Sequence, residues 1–114
     1  MESRITVMPE AGVPLPAALN RLIVSLVGDY DRRASVLRRR AAGEDVLLRY
    51  HALNRLIDEA IGEVCEERIA RQMRLDIGEG RGARCSPLYY MGEGLYKRRK
   101  RAAKENIAKK LGLL

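Results

Sequence analysis

Neither Phe nor Trp occurs anywhere in the chain, so its core must be filled by aliphatic side chains and some of its five Tyr. Such side chains suit helices packed along their lengths better than two facing sheets. Ala, Leu, Arg, Glu and Lys dominate after Thr6 and Val7, and these residues carry high helix propensity apart from the capping and turn positions they flank. In a chain of 114 residues, the expectation is one all-α domain, with an arm or tail allowed.

The periodicity divides the chain. Residues 1–15 hold Pro9, Gly12 and Pro14 with no period and read as a flexible N-terminal arm. From Pro16, tolerated in a first helical turn, Leu19, Leu22, Ile23, Leu26, Val27, Tyr30, Ala34, Leu37 and Ala41 recur at helical spacing. One amphipathic helix to about Ala42 is predicted, stopped at Gly43. Glu44 or Asp45 opens a second, favoured there by the helix dipole. Its stripe steps by threes and fours through Val46, Tyr50, Leu53, Ile57, Ala60 or Ile61, and Val64, continues approximately at Ile69 and Met73, and has Gly62 as its one weak point. Residues 16–76 therefore read as a long antiparallel helical hairpin. A hairpin buries one seam, so its outer apolar positions call for a third helix or a second subunit, and a homodimer is expected.

Residues 77–114 read as a glycine-rich loop and a basic, helix-turn-helix-like segment. DIGEGRGARCS breaks the period, Ser86-Pro87 signals a short helix through Met91, and Gly92-Glu93-Gly94 a turn. The last helix starts near Leu95 and is capped by Gly112. From Gly94 onward, eight basic side chains face Glu105 alone, while residues 1–93 hold fourteen of each sign. The whole excess of +7 thus sits in the last twenty-one residues, an asymmetry that points to a polyanionic partner.

On this helix Tyr96, Ala103, Ile107 and Leu111 share one face, and Lys97, Lys100, Arg101 and Lys104 another, flanked by Arg98 and Arg99. Same-sign neighbours four apart cost a few tenths of a kcal/mol each. Phosphates reverse that cost by releasing counterions. In a helix-turn-helix the second helix enters the major groove. Tyr96, Arg98 and Arg99 are then the candidate base readers, Arg because its fork matches two guanine acceptors. Lys97, Lys100, Arg101 and Lys104 are the candidate phosphate contacts. Double-stranded DNA is the expected partner, ahead of RNA.

The stretch SPLYYMGEGLYKRRKRAAKENIAKKLGLL resembles the C-terminal end of phage-derived transcriptional activators of the RinA/ArpU type. Shared features are Ser86 opening a short helix, a turn before Tyr96, the KRRKRAAK run and IAKKLGL at Ile107 to Leu113. The resemblance implies a sigma-region-4-like helix-turn-helix and regulation of a phage or mobile-element operon. It covers about a quarter of the chain.

Other features carry blander readings. GEGRG at 78–82 follows a helix rather than a strand, so it reads as a connector, with Arg81 and Arg84 within reach of a phosphate backbone. Glu59, Glu63, Glu66 and Glu67 interleave with Arg55, Arg68 and Arg71 as a salt-bridged face. Arg32-Arg33-Ala34-Ser35 has the form of a kinase site but falls on a helix surface. Cys65 and Cys85 with His51 cannot complete a zinc site, and Cys65 falls on the apolar seam. No metal, cofactor or catalytic set is expected, so the chain reads as a non-enzyme. No secretory signal is visible, and no run approaches the ~18 apolar residues of a membrane span. A soluble cytoplasmic protein is expected. The alternative is a helical interaction protein whose basic helix binds an acidic protein or RNA.

Overall fold

The computed structural model describes residues 15–79 and 92–114, and the described residues are helical with no strand. The helices are α1 (Ala17–Gly28), α2 (Tyr30–Arg39), α3 (Glu44–Gly62), α4 (Glu67–Glu79) and α5 (Glu93–Lys110). The expected N-terminal arm, the short helix from Ser86, Cys85, Arg81 and Arg84 lie outside the described residues.

The two long helices expected from periodicity are each broken once. The first bends at Asp29, which joins α1 to α2 at φ −89° and ψ 2°. Arg33 holds the bend from inside. Its side chain is buried, and it donates from Nη2 to the Leu26 carbonyl (2.6 Å), from Nε to Asn54 Oδ1 (2.7 Å) and from Nη1 to Asp29 (3.3 Å). Asn54 donates onward to the Tyr30 carbonyl at 3.2 Å. A buried guanidinium is tolerated because each nitrogen is hydrogen-bonded. Asp29 also takes both arms of Arg32, at 2.7 and 2.6 Å, and these bonds hold its carboxyl below the usual range.

The second long helix ends at Gly62, the weak point of its pattern. Val64 and Cys65 both donate backbone N–H groups to the Ile61 carbonyl, and the chain restarts as α4. The break turns Val64 and Cys65 inward, each almost fully buried. It also lets α1 pack on α4 while α2 packs on α3, so the chain folds as two bent arms rather than one straight hairpin.

The stop between the arms is Arg40, not Gly43. Arg40 takes the left-handed conformation (φ 49°, ψ 43°), and bonds from Arg40 to Leu37 and from Ala41 to Val36 close the helix end. Gly43 instead precedes α3 in an extended conformation. α4 runs past Met73 to Glu79, so Asp76, Ile77 and Gly78 are helical rather than part of a connector. Gly92 caps α5, and Gly94 falls inside the helix. At its other end Gly112 (φ 77°) forms the expected cap, with Gly112 N–H to Lys109 O at 3.0 Å and Leu113 N–H to Ala108 O at 2.8 Å.

A single core unites the elements. Ile23 and Val27 of α1, Ile57, Ala60 and Ile61 of α3, Ile69, Met73 and Ile77 of α4, and Tyr96, Ala102, Ala103 and Ile107 of α5 form one buried cluster. α5 packs against α3, α1 and α4. The C-terminal helix therefore belongs to the same body as the bent arms.

Candidate nucleic-acid interface

α5 divides by depth. Burying one Ile side chain completely, as happens to Ile107, stabilises by about 2–3 kcal/mol. Three small alanines at 102, 103 and 108, all fully buried, let the helix approach its neighbours closely. Polar ties fix its C-terminal half. Asn106 donates to the Ala60 carbonyl (3.2 Å) and to Glu63 (2.7 Å), and Lys110 pairs with Glu63 at 3.1 Å.

Tyr96 is also on this inner face. It is 0 % exposed, and its hydroxyl donates to Asp76, which accepts from Gln72 at 3.0 Å as well. Tyr96 is thus a core residue, and the expectation that it reads bases is corrected: its place on the apolar stripe decides its role. Arg99 is half-buried, and its Nε and Nη1 are covered without a hydrogen-bond partner. A guanidinium with two nitrogens covered cannot present its full fork to a guanine, so Arg99 is withdrawn as a bidentate reader. It lies beside Cys65, whose thiol is pushed up to about 11 by burial, with the Arg99 charge opposing.

The remaining predicted contacts face outward or sideways. Lys97 and Arg98 are exposed, and Lys100, Arg101 and Lys104 are half-buried at the margin of the helix. Lys104 turns toward α1, where its Nζ donates to Asn20 Oδ1 at 2.8 Å. Burial, and then the like charges of Lys100 and Arg101, hold its ammonium below the usual lysine range. Of the seven candidate residues, Lys97 and Arg98 are exposed on α5, Lys100, Arg101 and Lys104 are half-buried, and Lys104 brings in Asn20 of α1. Nothing in the spacing of α1 marks Asn20, which meets Lys104 across 84 positions of sequence.

The acidic face carries part of the pairing that its interleaving implies. Arg55 meets Glu59 at 3.3 Å and Arg68 meets Glu66 at 3.1 Å, both exposed, and Glu63 is engaged by α5. Among the described residues no cluster of three or more metal-ligating side chains occurs, and no helix is long and apolar enough to cross a membrane. Comparison with known protein families, with characterised proteins and with solved structures gives no significant match to this chain.

Proposed function

We propose that the outer face of α5 binds double-stranded DNA, and that the protein is a non-enzymatic regulator of transcription in a phage or mobile-element operon. The observation that carries this reading is a helix locked into the core by Tyr96, Ala103 and Ile107 that still exposes Lys97 and Arg98 and holds Lys100, Arg101 and Lys104 half-buried at its margin. The i,i+4 pairs Lys97–Arg101 and Lys100–Lys104 are like-charged, and such neighbours repel by a few tenths of a kcal/mol each. Phosphates relieve that repulsion, and the helix is already in place to receive them.

Arg98 remains the candidate base reader, and the other four cations contact phosphates. The phage-activator resemblance of residues 86–114 agrees with this assignment. Self-association as a homodimer would pair two such helices on adjacent half-sites. Leu22 and Leu48, 44 % and 64 % exposed on α1 and α3, are apolar positions open to a second subunit.

The test is fluorescence anisotropy with random duplex DNA at two salt concentrations. Four phosphate contacts imply a loss of roughly a hundredfold in affinity between 50 and 200 mM salt. Lys97→Glu with Arg101→Glu should abolish binding while leaving the melting temperature near that of the native chain. Absence of duplex binding at low salt overturns the reading. Binding to RNA or to an acidic protein instead selects the interaction-protein alternative.

A further inference from the structure

The contact between Lys104 and Asn20 is unlike the other ties that hold α5. Asn106 and Lys110 are bound by a carbonyl and by the carboxylate of Glu63. Lys104 is half-buried, meets a neutral amide oxygen, and feels two further cations, Lys100 and Arg101. A partly desolvated ammonium that meets a neutral acceptor and like charges has a surplus of positive potential and unused donors. With Oδ1 accepting from Lys104, the donors of the Asn20 NH2 group are not spent on that contact.

We infer that the junction of α1 and α5 is a seat for one phosphate group, in which Lys104 and Asn20, side by side at 2.8 Å, donate to its oxygens and Arg101 supplies further charge. This deepens the DNA-binding reading and rests on it for the identity of the occupant, a backbone phosphodiester. Two donors on neighbouring helices, already hydrogen-bonded to each other, suit two non-bridging oxygens of one phosphate. Asparagine is among the side chains that commonly hold DNA phosphates. α1 thus joins the interface, and the seat fixes how the body sits against the backbone rather than which base is read.

Asn20→Asp tests the seat. The new carboxylate would pair with Lys104 and repel a phosphate, and the added ion pair should leave the fold at least as stable. Affinity for random duplex DNA should fall about tenfold and the salt dependence should lose about one phosphate contact. In parallel, the side-chain amide proton resonances of Asn20, identified by their loss in Asn20→Asp, should shift as inorganic pyrophosphate is added. If Asn20→Asp binds DNA as the native chain does and those resonances stay in place, the seat is overturned while the DNA reading survives. If the native chain binds no DNA but the resonances shift with pyrophosphate, the seat stands and the DNA reading fails.

Discussion

Gly28 and Gly78 meet backbone to backbone where α1 crosses α4: a Cβ on Gly28 would lie 2.9 Å from the Gly78 carbonyl oxygen, and one on Gly78 would lie 2.9 Å from the Gly28 Cα. Both residues are helical, and alanine in place of a helical glycine ordinarily stabilises by up to about 1 kcal/mol. Here the added methyl meets main chain that cannot rotate aside. Gly78→Ala and Gly28→Ala should each destabilise the fold by about 1–3 kcal/mol, read as a shift in urea midpoint. Gly62→Ala is the control, since nothing lies within 4 Å of its Cβ position. Its midpoint should hold or rise.

The bond from the Tyr96 hydroxyl to Asp76 joins α5 to α4 in the middle of the core. Tyr96→Phe keeps the ring and removes one donor from a fully buried carboxylate. A loss of about 1–3 kcal/mol is expected from that deletion. Since the phenol is inside the body, DNA affinity measured well below the unfolding midpoint should not change. A selective loss of affinity at unchanged stability would return Tyr96 to the interface.

Arg40 sits at φ 49°, a conformation that costs an L-residue with a Cβ roughly 1 kcal/mol. Its exposed ion pair with Glu44, at 3.0 Å, offsets little of that. Arg40→Gly should therefore leave stability unchanged or raise it by up to about 0.5 kcal/mol after the added flexibility of the unfolded chain is counted. Thermal unfolding would show it directly.

Tyr30 links three helices. Its hydroxyl donates to Asp58 of α3 at 2.8 Å, and the Arg74 guanidinium of α4 lies 3.9 Å from its ring centroid. Burial, followed by the Asp58 hydrogen bond, pushes its hydroxyl from 10.0 up to about 12. The folded state therefore holds this proton more tightly than the unfolded state. The resulting stability is fully present below the unfolded value and is lost as pH rises from about 10 through 12. Tyr30→Phe should flatten this alkaline limb of the stability profile, followed by urea midpoints across that range.

What was legible in the sequence was local. The opening of α3 at Glu44, the weak point at Gly62, the inner stripe of α5 and the cap at Gly112 each depend on neighbours within one or two turns. The bend at Asp29 was hidden because an Arg on a helix reads as a solvent-facing residue, whereas Arg33 is buried on partners as distant as Asn54. Gly78 read as part of a flexible connector because glycines alternate there, yet its missing side chain makes room for Gly28, fifty positions earlier. At the candidate interface, charge and apolar period competed for the same helix. Period decided Tyr96 and drew Arg99 half inside, and a non-local amide drew Lys104 toward α1.

A basic segment that is disordered until it meets its ligand must spend part of its binding free energy on becoming a helix. α5 has no such debt, because Tyr96, Asn106 and Ile107 already hold it in the core. Association through its outer face would be close to rigid-body docking. Calorimetry should then find a small heat-capacity change on binding, far from the large negative value of a segment that folds as it binds. Transfer of residues 93–114 alone to another protein would carry over the charge and lose that advantage.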